Sequence, residues 1–157
     1  MNHNDWSTSP MRAPFQVLVV PYRRAFDALE FLILQRADSH KWQWVAGGGE
    51  DDETPVQAAQ RELVEELSAT SAVRPLATIS PVPVVNITGE LTWGYEHLIV
   101  MEHAFCVNLD GQEFTLSSEH ISARWVGLEK AGSMLEFDSN RTAAWEVKTL
   151  SEGGLLA

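Results

Sequence analysis

Runs of apolar residues separated by short polar stretches dominate the first third of the chain and predict β-strands. The segments Phe15–Tyr22 and Leu29–Gln35 are rich in valine, leucine and aromatic residues, which is typical of buried strands. The polar stretch Arg23–Asp27 between them predicts a short turn. A third, shorter strand, Trp42–Ala46, is expected to run into three consecutive glycines, Gly47–Gly49.

The apolar spacing changes to a helical period between Thr54 and Leu67. Thr54 can cap this helix, Pro55 suits the first helical position, and Gln57 completes a capping box. The stripe that should pack on the sheet has apolar residues at helical spacing: Val56, Ala59, Leu63 and Leu67.

Beyond this helix the pattern predicts four further strands and two helices. The strands are Ala72–Ile79, Val82–Ile87, Thr92–Val107 and Ala123–Val126, with a turn at Asp110–Gly111. A short helix is expected near Leu128–Leu135, and a longer one from Asn140 to Leu150 with Ser139 as its N-cap. This order favours an α/β fold in which helices cover a mixed sheet. Residues 15–152 are expected to form one domain after a loose tail, residues 1–14.

The composition is that of an ordinary globular protein, and its charge limits the partners. The 157 residues are 45% hydrophobic and carry a formal net charge of −11. Nucleic acid is therefore not expected as a partner, because its binding needs a basic face. No apolar run nears the roughly 18 residues that cross a bilayer, and the N-terminus lacks a signal-peptide pattern. With the lone Cys106 expected to be a buried thiol, these features predict a cytoplasmic protein without membrane partners.

Glu62, Glu65 and Glu66 form a second stripe on the predicted helix, turned away from the apolar one. Carboxylates at this spacing repel each other, and only Arg61 is near enough in the sequence to compensate. Hard divalent cations such as Mg²⁺ or Mn²⁺ prefer oxygen ligands and would relieve the repulsion. A solvated acidic face is the alternative, and the triplet alone does not decide between the two.

The residues around this helix match the Nudix box at every fixed position. That signature is a glycine, five residues, a glutamate, seven residues, and then arginine, glutamate, an aliphatic residue, any residue and two glutamates. The matching residues are Gly47, Glu53, Arg61, Glu62, Leu63, Glu65 and Glu66. The chain therefore resembles the Nudix hydrolases, which implies a Nudix-like α/β/α sandwich. One departure is Ser68, where the family usually has glycine. If the backbone is left-handed at this position, any residue other than glycine would cost about 1 kcal/mol.

The resemblance implies a phosphoanhydride hydrolase that uses Mg²⁺ or Mn²⁺. The implied metal ligands are three glutamates and one backbone carbonyl: Glu62, Glu65, Glu66 and that of Ala46. One of the glutamates would instead orient the attacking water. Arg61 would brace the glutamates and the loop by charge-assisted hydrogen bonds, and Glu53 would help to hold the box together.

Three further segments resemble the bacterial dihydroneopterin triphosphate pyrophosphatases within this family. They are the W-Q-x-V-x-G entry to the box at Trp42–Gly47, the E-H-x-x-x-x-W segment at Glu119–Trp125 and the S-N-R segment at Ser139–Arg141. By this resemblance Glu119 is a further metal ligand or base, the alternative being a surface glutamate before a strand. The implied substrate is a nucleoside or pterin triphosphate, cleaved to a monophosphate and pyrophosphate.

Two tryptophans and an arginine are candidates for substrate contacts. Trp42 and Trp44 are expected to face opposite sides, one stacking on a purine or pterin ring and the other packing inside. Arg36 follows a strand and could reach a phosphate, unless it is a surface charge. Four histidines lack the spacing of metal ligands and are interpreted as structural or incidental: His40, His97, His103 and His120.

Two other functions stay open. Small Nudix enzymes interchange substrates readily, so a dinucleoside polyphosphate hydrolase is one alternative. A non-catalytic nucleotide-binding sensor is the other, although the intact Glu62, Glu65 and Glu66 count against it. The chain could also form a homodimer.

Overall fold

A computed structural model describes residues 9–156 and has a mixed seven-stranded sheet with helices on both faces. The strands are Arg12–Ala25 (β1), Ala28–Arg36 (β2), Trp42–Gln43 (β3), Val45–Glu50 (β4), Arg74–Pro83 (β5), Ile99–Asn108 (β6) and His120–Val126 (β7). The helices are Pro55–Leu67 (α1), Val85–Thr88 (α2), Leu128–Met134 (α3) and Asp138–Glu152 (α4). The predicted α/β class with a mixed sheet is confirmed. Of the predicted tail, residues 1–8 lie outside the described residues, and β1 already begins at Arg12.

Strand β1 is the centre of the sheet because it pairs along both edges. One edge is parallel to β6, and the other is antiparallel first to β4 and then to β2. Strands β3 and β7 pair with β2, and β5 pairs with β6. The side chains of β1 therefore alternate between two buried faces. Leu18 and Val20 join one apolar cluster, and Val17 and Val19 join the other.

Helix α1 covers one face of the sheet, and α3 and α4 cover the other. The capping box of Thr54 and Gln57 is confirmed at the start of α1. Leu63 and Leu67 pack beneath the sheet as predicted, but Val56 is 44% exposed. The buried face of α1 is centred between the apolar stripe and the glutamates, so that Glu62 and Glu66 become buried in place of Val56.

The segment between β5 and β6 is not the pair of strands that the sequence predicts. The predicted strand Val82–Ile87 is wrong, because β5 ends at Pro83 and the chain turns into the single-turn helix α2. Gly89 closes this helix with a φ of +79°, and Gly94 follows with +69°. These left-handed residues interrupt the extended chain. Regular pairing with β5 therefore starts only at Ile99.

The C-terminal helices are close to their predicted positions. The short helix α3 is confirmed near Leu128–Leu135, and α4 covers the predicted Asn140–Leu150. Ser139 is not the N-cap, because α4 begins at Asp138, two residues before the predicted start, and Phe137 takes that position. No helix in residues 9–156 is long and apolar enough to cross a bilayer.

The two tryptophans lie on the same side of the chain, which corrects the expectation that they face opposite sides. Residues two apart on an extended chain point the same way, and both indoles pack against the cluster that contains Leu18. Trp44 is completely buried, and its Nε1 donates to the carbonyl oxygen of Asn140 at 2.9 Å. Trp44 is therefore the tryptophan of the pair that packs inside, and its buried ring has no surface on which a substrate could stack.

Ser68 ends α1 in the left-handed conformation, with a φ of +54° and its N–H bonded to the carbonyl oxygen of Val64. Because a Cβ is strained there, we expect Ser68→Gly to raise the free energy of unfolding by about 0.5–1 kcal/mol. Urea unfolding followed by circular dichroism measures the change. As a control, Ser151→Gly within α4 should lower stability by about 0.5 kcal/mol. A destabilised Ser68→Gly protein would contradict the strain argument.

Candidate active site

A cleft of about 1230 Å³ lies between strand β4, helix α1, the start of α4 and the loop before β7. Most of the residues predicted to form the site line this cleft: Arg36, Ala46, Glu62, Glu65 and Glu119. Arg61 and Glu66 lie directly behind this wall and contact it through hydrogen bonds. The fold thus brings the box and the distant Glu119 to one place.

Gly47 allows a carboxylate of α1 to lie against the backbone of β4. A Cβ at Gly47 would lie 2.1 Å from Oε1 of Glu62, which is far inside van der Waals contact. The glycine is therefore needed for close approach, because its φ is not in the left-handed region. The fixed number of residues between Gly47 and Glu62 therefore corresponds to the length of chain that leads from this strand to the point on the covering helix that contacts it.

Arg61 holds the glutamates and the strand together. Its Nε donates to Glu53 at 2.8 Å, and its Nη1 donates to Glu62 at 2.9 Å and to Glu65 at 3.2 Å. Its Nη2 donates to the carbonyl oxygen of Gly48 at 2.8 Å. The hydrogen bonds from Arg61 lower the pKa of Glu53. These are the contacts that the resemblance implied for Arg61 and Glu53.

Glu62 and Glu66 are buried carboxylates, whereas the side chain of Glu65 is half exposed. Burial, followed by the charge of Glu66, raises the pKa of Glu62 to about 8. Burial also raises the pKa of Glu66, although its hydrogen bond to His120 opposes that change. Buried carboxylates with raised pKa values are destabilised as anions, and a divalent cation compensates them directly. The donor set therefore fits Mg²⁺ or Mn²⁺.

His120 is a site residue that sequence reasoning missed. It is buried at the start of β7, and its Nε2 lies 2.6 Å from Oε1 of Glu66. The other oxygen of Glu66 accepts from the backbone N–H of Ala46 at 3.1 Å. Because Nε2 is engaged with Glu66, His120 orients this carboxylate, as outer partners of metal ligands do. Its position next to Glu119 in the sequence was the signal that could have identified it as a site residue.

Glu119 reaches the same cluster from the loop opposite α1. One carboxylate oxygen of Glu119, one of Glu66 and a ring nitrogen of His120 all lie within 4.8 Å of one another. The carbonyl oxygen of Glu119 accepts from the N–H of Ala37 at 2.8 Å, which ties the loop to the end of β2. Glu119 is exposed, so its carboxylate is accessible from the cleft.

The predicted substrate contacts are placed less favourably than the predicted ligands. Arg36 lines the cleft, but its Nε and Nη2 both donate to Asp38 at 2.8 Å, so a phosphate would have to share it. Trp42 is half-buried against the core and does not line the cleft formed by the described residues. The aromatic side chain in the wall is Phe137, which is 50% exposed and was missed from the sequence.

Known proteins resemble this chain along most of its length. The family model for the NUDIX domain matches residues 14–146. The dihydroneopterin triphosphate diphosphatase of Escherichia coli K12 is 32% identical over 137 residues, which is 84% of this chain and 90% of the relative.

Two solved structures share the fold. A Listeria monocytogenes protein assigned to the NUDIX hydrolases is 35% identical, with a TM-score of 0.82 over 91% of this chain and 97% of the other. A C. elegans Ap4A hydrolase superposes with a TM-score of 0.71 at 21% identity, covering 90% of this chain and 99% of that one. At that identity the second likeness concerns the fold alone.

The close approach at Gly47 can be tested by adding one methyl group. Gly47→Ala should displace Glu62, because the new Cβ would lie 2.1 Å from its Oε1. We expect Mn²⁺ affinity to fall by roughly tenfold or more, measured by electron paramagnetic resonance. Gly132→Ala is the control, since a Cβ there meets nothing within 4 Å. Unchanged Mn²⁺ affinity in Gly47→Ala would show that Glu62 does not hold metal.

The role of His120 can be separated from simple core packing. His120→Phe fills a similar volume but removes the donor to Glu66, and we expect Mn²⁺ affinity to fall by roughly 10- to 100-fold. His120→Gln keeps an N–H donor and should lose less. The exposed His97→Phe is the control. If Phe and Gln at position 120 lower the affinity equally, His120 does not act through its hydrogen bond.

Proposed function

The chain belongs to the Nudix hydrolases, which cleave phosphoanhydride bonds, and we propose that it cleaves a nucleoside or pterin triphosphate with Mg²⁺ or Mn²⁺. The products would be a monophosphate and pyrophosphate. The observation that carries this proposal is that Glu62 and Glu119 line one cleft, while a carboxylate oxygen of Glu66, directly behind its wall, lies within 4.8 Å of one of Glu119. Two of these carboxylates are buried, which favours a bound divalent cation.

The cation would be held by carboxylate oxygens of Glu62, Glu66 and Glu119, with Glu65 and the carbonyl of Ala46 as further proposed ligands. When bound, it would neutralise the phosphate charges and polarise the bond that breaks. Metal binding also explains how a chain with a net charge of −11 can accept a polyanion.

The chain's own residues position the reaction. Arg61 holds Glu62 and Glu65, and the hydrogen bond from His120 fixes the orientation of Glu66. Hydrolysis forms a bond from the water oxygen to phosphorus, breaks the bridging P–O bond and releases a proton. Glu65 and Glu119 are the exposed carboxylates of this group, so each is accessible to accept that proton.

The triphosphate is favoured as substrate by the E. coli relative, whose name describes a diphosphatase of dihydroneopterin triphosphate. The alignment with this relative covers 84% of this chain, so the likeness extends well beyond the box. A dinucleoside polyphosphate is the second candidate, since the fold is shared with an Ap4A hydrolase.

Product analysis distinguishes the two substrates. The purified protein is incubated with Mg²⁺ and, separately, dihydroneopterin triphosphate, GTP, ATP and Ap4A, and the products are resolved by ion-pair chromatography. The proposal expects pyrophosphate and a monophosphate from a triphosphate. A nucleotide pair from Ap4A, at a higher kcat/KM than any triphosphate, would favour the second candidate. Release of no phosphate product from any of them would contradict both.

The carboxylates can be tested individually against an exposed control. Glu62→Gln and Glu66→Gln remove a charge that the proposed cation needs, and each should lower kcat by roughly 100-fold or more. Glu129→Gln, exposed on α3, should leave kcat unchanged. EDTA should abolish activity, and added Mg²⁺ should restore it. Full activity in EDTA, or in both variants, would overturn metal dependence.

A further inference from the structure

Polar groups at the far end of the cleft are not among the residues proposed to cleave the bond. Gln16 of β1 and Glu102 of β6 are partners in register, and both line the cleft. The period of two places them on the same face of the sheet as Leu18 and Ala104, just beyond the apolar cluster. Ser139, at the start of α4, donates to Glu102 at 3.3 Å.

This end of the cleft has two side-chain acceptors, and one of them lacks a donor. Oε1 of Gln16 is buried and has no hydrogen-bond partner within residues 9–156. The carboxyl group of Glu102 is bonded to Ser139, and burial raises its pKa because the anion has lost water. A buried acceptor left unpaired costs about 1–3 kcal/mol. A ligand that brings N–H donors to this place would therefore be stabilised.

We propose that Glu102 and Gln16 recognise the 2-amino-4-oxopyrimidine edge that guanine and pterin share, and so determine base specificity. The inference rests on the proposed hydrolase function. That edge presents a ring N–H beside an exocyclic amino group, and these two parallel donors match the two oxygens of a carboxylate. In the proposed arrangement the second amino N–H would donate to the unpaired Oε1 of Gln16. Adenine presents a ring acceptor instead, which would oppose a carboxylate.

The position of this pair suits one ligand that spans the cleft. Gln16 is also the register partner of Gly48 on β4, whose carbonyl accepts from Arg61. Strands β4 and β6 pair with opposite edges of β1, so Glu102 lies two strand spacings, roughly 10 Å, from the box. A nucleotide-sized ligand can reach both ends. Phe137 adds an apolar ring to the cleft wall on which a base can stack.

The test compares three triphosphates that differ in one edge. ITP is GTP without the 2-amino group, and ATP has the opposite donor pattern. We expect the wild type to prefer GTP over ITP by at least tenfold in kcat/KM. Glu102→Gln should lower the GTP value at least tenfold and the ITP value less than threefold, and Gln16→Leu should act in the same direction. Glu90→Gln, an exposed carboxylate outside the cleft, is the matched control and should change neither.

A metal-free binding assay separates recognition from hydrolysis. Calorimetry should show that neopterin and GMP bind at least tenfold more tightly than AMP. The Glu102→Gln protein should lose this preference, provided that circular dichroism shows it to be folded. Gln16→Leu provides the same test if Glu102→Gln does not fold. If the protein binds neopterin and GMP more tightly than AMP but hydrolyses none of the triphosphates, the hydrolase proposal is contradicted and the recognition proposal stands. Turnover with an unchanged GTP-to-ITP ratio in Glu102→Gln, or equal loss on all three triphosphates, would overturn the recognition alone.

Discussion

The burial of Glu62 and Glu66 between helix α1 and the sheet is the constraint on which the rest of the site depends. Two anions in such a place would cost several kcal/mol each if nothing compensated them. Arg61 donates to Glu62, while His120 and the backbone of Ala46 donate to Glu66. The compensation is incomplete, because the pKa values of both carboxyl groups remain raised. What remains is an affinity for a further positive charge, which the proposed divalent cation would supply.

The same helix also contributes to the core, so chemistry and stability share one interface. Leu63 and Leu67 pack into the apolar cluster beside the two glutamates. Rotating α1 to bury Val56 would withdraw Glu66 from Ala46 and His120. The exposed Val56 is therefore a consequence of the orientation that the site requires. The energy lost there is small beside that of an unpaired buried charge.

Well-marked short-range patterns could be predicted from the sequence, whereas contacts between residues far apart in the chain could not. The capping box, the fixed spacing from Gly47 to Glu66 and the apolar run of β1 are short-range patterns, and the structure has all three. The contact of His120 with Glu66 joins residues 54 positions apart, and no spacing rule announces it. The sequence does not predict the end of β5, because Val84, Val85 and Ile87 have high strand propensity but lie at a turn of helix, after which left-handed glycines redirect the chain. Trp42 and Trp44 share one side because residues two apart on an extended chain point the same way, contrary to the expectation of opposite sides.

Strand β1 connects the two ends of the cleft, and this has a consequence for how specificity and chemistry are related. Its edge toward β4 places Gly48 beside the box, and its edge toward β6 places Glu102 near Ser139. Both placements follow from backbone register and do not depend on which side chain stands at position 102. A substitution there can change the base that is accepted without moving Glu62 or Arg61. The hydrolytic end is tied to the core and is constrained, whereas the opposite end can vary, so under the proposed recognition one scaffold could serve substrates with different bases.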